Sequence, residues 1–377
     1  MPWMRVLFAG LLAGLVPLAA AAGPYYTVLH KFSLGDGAFP RGPLILDVSG
    51  DLFGATMYGG AGGVGTVFRL AHDGTLSTLH DFSTAEGNPS GPLLRKSDGH
   101  FLGLTAFAGS QKSGTVFDLA EDGGFTRIHT FADDAVGYLP RGNLVADSQG
   151  DLYGETALGG ANGMGTIFKL APSGAATALY AFNRADGYNP QGDLVADAAG
   201  NLYGTTYETG FQELGSVFKV ALDGTFTKLH QFTNGSDGGL PTGAFTIDAD
   251  GNLYGMTSYG GAVLAGVLYK LAPDGTESVL RDFNKNDFPS SGLTIDAVGN
   301  LYGTMDGGGS GFSCRGTSCG AIFVRTTTGK FLITHNFQKH NGAAPQYPLT
   351  IDASGTVYGT TESGGIDNNG VVFKLNR

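Results

Sequence analysis

Three short apolar units recur along the chain with a spacing of about fifty residues, the range in which propeller blades and other arrays repeat. The first ends in Phe and runs from Leu29 to Phe32, Leu79 to Phe82, Ile128 to Phe131, Leu179 to Phe182, Leu229 to Phe232, Leu280 to Phe283 and Thr334 to Phe337. The second is Leu52-Phe53-Gly54, returning at Leu152-Tyr153-Gly154, Leu202-Tyr203-Gly204, Leu253-Tyr254-Gly255, Leu301-Tyr302-Gly303 and Val357-Tyr358-Gly359, with a degenerate Phe101-Leu102-Gly103. The third is Thr66-Val67-Phe68, seen again at Thr115-Val116-Phe117, Thr166-Ile167-Phe168, Ser216-Val217-Phe218 and Val372-Phe373. Polar, Gly-bearing turns separate them, so each repeat reads as four short strands. In one copy the pattern predicts strands over Asp193 to Asp197, Leu202 to Thr206, Ser216 to Val220 and Thr225 to Phe232. Ala199-Gly200-Asn201 and Leu222-Asp223-Gly224 supply tight turns.

The two ends complement each other. Tyr25 to Phe32 is a fourth-type strand with no partners before it, and Tyr347 to Leu375 supplies three strands with no fourth after them. Joining them completes a seventh blade and removes the open edges of a linear array. The predicted fold is an all-β, seven-bladed propeller of four-stranded blades over residues 23–377, its last blade closed by the N-terminal strand. An open solenoid, with whole repeats and polar caps, is the alternative.

The repeats carry a recognisable signature in Leu202-Tyr203-Gly204-Thr205-Thr206 and Gly165-Thr166-Ile167-Phe168-Lys169-Leu170. These units closely resemble the GloVer (Gloeobacter/Verrucomicrobia-type) tandem repeat of exported bacterial proteins, over essentially the whole chain after the leader. The resemblance implies export and a surface or extracellular placement, and brings no established activity. Many such chains carry an added C-terminal anchor. None follows the last strand here, so release into the periplasm or medium is the expectation. The strand pattern is also similar to NHL-type propellers, in fold only.

Residues 1–22 read as a cleavable signal peptide: Arg5, an apolar stretch from Val6 to Leu18, and the small residues Ala20-Ala21-Ala22. A membrane anchor is the alternative, but the apolar run is short of the roughly 20 residues of a span. Gly is abundant at 64 residues and charged residues make up only 15 %, while apolar content of 42 % excludes disorder. The net charge is −11, or −12 without Arg5, which argues against nucleic-acid partners. The only two cysteines, Cys314 and Cys319, are predicted to form a local disulfide rather than a redox pair or a zinc site.

Several enzyme signatures are missing. Trp3 is the only tryptophan, which removes the Trp-bearing repeats of quinoprotein dehydrogenases and the Asp-box turns of sialidases. No Gly-x-Ser-x-Gly elbow, HExxH helix or P-loop occurs. Residues copied around the ring serve every blade, so His30, His80, His129, His230 and His335 are read as structural. The recurrent Asp47, Asp147, Asp197, Asp248, Asp296 and Asp352 are expected to accept hydrogen bonds within tight turns. No segment gathers the oxygen ligands of a calcium loop. No metal and no cofactor are predicted.

Candidate function therefore lies where copies differ, on the face that collects the long loops. After the loop proline the blades carry Arg41, Ser90, Arg141, Gln191, Thr242, Ser290 and Gln346. They are expected just before the innermost strands, ringing the channel mouth, where Arg and Gln could grip carboxylates or sugar hydroxyls. The second loop set varies as Tyr58, Phe107, Leu158, Glu208, Tyr259, Gly307 and Ser363, offering aromatic faces for sugar rings or for packing beneath their own loops. Glu155 is a lone carboxylate that could act as an acid or base if it reached the channel with a partner such as Glu208; otherwise it is a paired inter-blade carboxylate. Arg315, in the disulfide-pinned insertion Gly307 to Gly320, is a candidate specificity element. The expected role is a secreted, monomeric recognition module for a polysaccharide or protein, without membrane anchor. A polysaccharide lyase or hydrolase and a purely structural surface protein remain alternatives.

Overall fold

The computed structural model describes residues 25–107, 113–190, 192–208, 214–307, 314 and 319–376. The leader over residues 1–22, Gln191 and Arg315 lie outside the described residues. Seven antiparallel sheets form the propeller. Numbered from the N-terminal side, blade 1 has strands Ala38–Leu46, Leu52–Tyr58, Thr66–Leu70 and Leu76–Asp81, from the channel outwards. Blades 2 to 6 repeat that order through Thr130, Ala181, Gln231, Asp282 and Asn336. In blade 7, Thr350–Ile351, Val357–Thr361 and Val371–Asn376 come from the C-terminal end, and Tyr25–Lys31 pairs with Val371–Asn376 as the outermost strand. The ring is closed as the pattern requires.

The three repeated units meet in one packing arrangement. In every blade the glycine of the second strand faces the ring of the third-strand aromatic. A Cβ at Gly54 would lie 2.6 Å from Phe68, and one at Gly103 would lie 2.4 Å from Phe117, so no larger residue fits. The fourth-strand Phe of each blade then packs edge-on against the third-strand aromatic of the next: Phe82 on Phe117 at 5.3 Å, Phe131 on Phe168 at 5.0 Å, Phe182 on Phe218 at 5.1 Å. The closing strand takes part, with Phe32 on Phe68 at 5.2 Å.

The copied polar residues are structural. His30 Nε2 lies 3.1 Å from Asp36 Oδ2, His230 pairs with Asp237 at 3.4 Å, and where His is replaced the Tyr180 hydroxyl donates to Asp186. Asp197 Oδ1 accepts from the Ala199 and Asn201 amides, each at 2.9 Å, and its other oxygen accepts from the Tyr203 hydroxyl. The same turn recurs at Asp47, Asp147, Asp248, Asp296 and Asp352.

The inner strands differ from the sequence expectation. In blade 4, pairing with Leu202–Glu208 involves Tyr188–Pro190 and Val195–Ala196 instead of an unbroken Asp193 to Asp197. In blades 1 and 3 the strand is continuous, with its register interrupted between Arg41 and Ile45 and between Arg141 and Val145. Proline cannot donate to a ladder, and a channel-facing edge strand tolerates the irregularity. Arg41 and Arg141 therefore lie within the inner strands, opposite Ala55 and Glu155, rather than ahead of them. The residue before the proline is lashed to the preceding blade: the Phe39 amide donates to Asn369 O at 2.9 Å, and the Leu139 amide to Ser113 O at 2.9 Å.

Phe32 is fully buried at the closure seam against Phe68 and Leu44. Phe32→Ala is expected to lower stability by about 3–5 kcal/mol through lost burial and a cavity, measured by urea denaturation; no loss would mean that the seam does not hold the ring.

Candidate channel-mouth site

Each inner strand carries a Pro-x-Gly-x-Leu segment or a variant of it, and these segments converge on the axis. A Cβ at Gly91 would stand 2.1 Å from Gly142 O, and one at Gly142 would stand 2.1 Å from Gly192 O. The throat is thus as narrow as backbone contact permits on that side. In blades 6 and 7 the glycine position holds Ser291 and Tyr347. Above the throat opens a cavity of about 180 Å³ to which all seven blades contribute, including Arg41, Ser90, Arg141, Asp193, Gln346 and Tyr347.

The cavity is chemically lopsided. Blades 1 to 3 present donors. Arg41 Nη2 donates to Glu362 Oε1 at 3.2 Å, while Arg41 Nε and Ser90 Oγ are buried without a hydrogen-bond partner. Arg141 is exposed and pairs with no acid among the described residues. Blade 4 adds an acid to the lining, Asp193, while the acids of blades 6 and 7, Asp306 and Glu362, stand outside it, bonded to the lining residues Gln346 and Arg41. Burial pushes Asp193 up to about 6, against the opposing effect of a hydrogen bond from the Asn143 amide. Burial also pushes Asp306 up to about 6, although Gln346 Nε2 donates to its Oδ2 at 3.0 Å. The Tyr347 hydroxyl is held well above its ordinary range by burial, with the Arg41 guanidinium beside it. Asn143 locks this side in place: its amide nitrogen donates to Leu194 O at 3.0 Å and its oxygen accepts from the Leu194 amide at 2.8 Å.

Of the residues singled out from sequence, Arg41, Arg141 and Gln346 come together here. Tyr58 and Tyr259 end second strands on the same face, exposed and outside this cavity. Tyr58 stands edge-on to Phe39 at 5.8 Å. Glu208 ends the second strand of blade 4, opposite Tyr188. Cys314 and Cys319 form the expected disulfide.

Glu155 does not reach the channel. It is fully buried between blades 3 and 4, its Oε1 packed towards Gly204, and neither carboxylate oxygen has a hydrogen-bond partner. Nor is it matched with Glu208: its equivalent in blade 4 is Thr205, three residues earlier and about 10 Å along the strand. Burial, reinforced by the neighbouring Asp193 charge, raises its pKa far above the usual carboxylate range.

Asp193, Asp306, Glu362 and Tyr347 were not anticipated, yet each left a trace. Asp193 is the sole acid among Pro43, Pro92, Asn143, Ala244, Gly292 and Pro348 at its matched position. Tyr347 is the one aromatic at the throat glycine position. Asp306 and Glu362 are the only acids matched with Met57, Ala106, Ala157, Tyr207 and Ser258. Comparing a second register of the same repeat would have found them.

These features define a class: a closed seven-bladed propeller with one polar funnel on its long-loop face. The profile of the Gloeobacter/Verrucomicrobia repeat matches residues 13–149 and 93–317, and the chain belongs to that family. No curated protein matches the sequence. Among solved structures, the extracellular domain of a protein assigned as a one component system from B. thetaiotaomicron aligns at TM-score 0.56 and 12 % identity, covering 91 % of this chain and 39 % of that one. The present chain thus spans well under half of that neighbour, and the likeness is one of fold alone. A gluconolactonase from Xanthomonas campestris aligns at TM-score 0.47 and 14 % identity, over 93 % of this chain and 88 % of that one. A structural-genomics target assigned as a gluconolactonase gives 0.44 and 15 %, over 94 % and 92 %.

An acid that stays neutral in the fold but ionises in the unfolded chain makes folding less favourable as pH rises above the unfolded value of about 4.3. Glu155→Gln removes that penalty. Its thermal midpoint should exceed that of the wild type by a margin that widens as the pH rises above about 5; a margin independent of pH would show that Glu155 is ionised in place.

Proposed function

We propose that this protein is a recognition module for a sugar acid, taken into the channel mouth with its carboxylate towards blades 1 to 3. The observation that carries this reading is the donor wall: Arg41 Nε and Ser90 Oγ lack partners, and Arg141 lacks a counter-ion among the described residues. A carboxylate supplies acceptors for all three, and guanidinium is the group suited to it. The opposite wall, with Asp193 and the side-chain oxygen of Gln346, accepts from hydroxyl donors. A ligand with a carboxylate at one end and hydroxyls at the other satisfies both walls. A cavity of about 180 Å³ suits a single monosaccharide unit rather than a larger molecule. The acidic net charge of −11 disfavours a densely charged polymer and favours one carboxylate placed locally.

On this reading residues 1–22 serve as an export leader, and the module works where the Cys314–Cys319 disulfide persists. No helix among the described residues is long and apolar enough to cross a membrane.

Titration calorimetry with glucuronate tests the proposal. Arg141→Ala should weaken binding by about tenfold or more, the scale of a charge-assisted hydrogen bond. Asp193 and Asp306 lose their charge below about pH 6 while the ligand carboxylate, titrating near 4, keeps its own. Affinity should therefore rise from about pH 7.5 to about pH 5, and the rise should be lost in the double variant Asp193→Asn, Asp306→Asn. Equal binding by wild type and Arg141→Ala would remove the donor wall from the account.

A further inference from the structure

The mouth has a side exit. A second cavity of about 70 Å³ runs outwards over blade 2 and shares Arg41, Ser90 and Arg141 with the first. The two arginines, from the blades on either side, flank the passage, and Asn88, Ala106 and Phe107 extend it towards the rim. Its presence over blade 2 has a residue-level cause. In blades 6 and 7 the position matched with Ala106 holds Asp306 and Glu362, which reach back to Gln346 and Arg41 and close that sector. In blade 2 the same position is only a methyl group, and the mouth residue before it is the small Ser90.

Phe107 ends this groove. Its side chain is 54 % exposed, and its backbone is held at φ 56°, in the left-handed region that bulky residues avoid. Tyr58, Leu158 and Tyr259, at matched positions, have no such backbone. An apolar ring held open to water, at the end of a largely apolar groove that Arg41, Asn88 and Arg141 edge with polar groups, offers a face against which a pyranose can stack.

We propose that the rim over blade 2 is a second saccharide subsite, and that the ligand is a sugar acid linked to a neutral sugar: the groove admits the link and the near edge of the second unit, whose ring lies over the exposed Phe107. This rests on the sugar-acid reading of the mouth, since the first unit must be anchored between Arg41 and Arg141 for the second to enter the groove. The groove contributes no cation beyond the two arginines it shares with the mouth, so the second unit is neutral. Asn88 donates from Nδ2 to Met57 O at 2.9 Å, which leaves its oxygen to accept from a sugar hydroxyl.

The test compares glucuronate with the disaccharide in which glucuronate is linked through its C1 to glucose, and with cellobiose as the neutral control. For the wild-type chain the disaccharide should bind about tenfold more tightly than glucuronate, the scale of one aromatic contact. Phe107→Ala should abolish that gain and leave glucuronate binding unchanged, with an unaltered thermal midpoint showing that the fold is intact. Phe107→Trp should keep the gain. Trp3 is the only native tryptophan, so a fluorescence change that the disaccharide but not glucuronate produces in the Phe107→Trp variant, and not in the wild type, reports occupancy of the groove. Equal affinity for glucuronate and the disaccharide would overturn the groove and leave the mouth standing. A gain that survives Phe107→Ala would overturn it too. Absence of binding by either ligand would overturn both readings, and cellobiose binding as tightly as the disaccharide would overturn the order of units.

Discussion

Everything in this molecule rests on the contact between an aromatic ring and the glycine across from it within each blade. The third-strand Phe can lie flat over the second strand only because Gly54, Gly154, Gly204 and their equivalents have no Cβ. Once seated, that ring becomes the surface on which the previous blade's fourth-strand Phe stands edge-on. The same arrangement therefore builds the blade and joins it to its neighbour. Aromatic pairs of this geometry add to what area burial alone contributes. Repeated around the ring they make closure a cooperative property, and the N-terminal strand takes part by bringing Phe32 to the seam.

A ring held by identical contacts leaves the axis free to vary. The inner strands are edges, so proline and irregular register are tolerated there, and their side chains answer to the channel rather than to a sheet. Glycine at the throat lets neighbouring backbones approach until Gly91 nearly touches Gly142 O. The narrowing turns a pore into a funnel. Tyr347, a phenol at a position otherwise given to small residues, adds to its wall beside Arg41. The distribution of charge follows the same logic: donors from three adjacent blades face Asp193 of blade 4, an arrangement that no sevenfold repeat would produce.

Glu155 shows the cost of breaking the repeat inside the packed layer instead of at the axis. A buried carboxylate without a side-chain partner is among the more expensive groups a fold can carry unless it stays protonated. Its position against Gly204 and near Asp193 means that protonation there also decides how much negative charge the adjacent mouth wall feels. Structure and electrostatics of the funnel are thus coupled across one blade interface.

The repeat itself determined the blade count, the strand order, the closure by Tyr25–Lys31 and the structural role of the copied His and Asp residues. All of these follow from local periodicity and turn chemistry, which one sequence displays directly. It also marked Arg41, Arg141 and Gln346, because variation at a matched position is visible without coordinates. Tertiary structure alone decided that Arg41 is shared with Glu362 while Arg141 lacks an acid partner among the described residues, that Asp193 faces the donors while Asp306 is held by Gln346, and that Glu155 is sealed off from the channel. It decided as well that a sector of the mouth is open over blade 2. Such facts depend on which side chains from blades far apart in sequence meet at the axis, and on how burial there shifts their protonation. Periodicity carries no information about either.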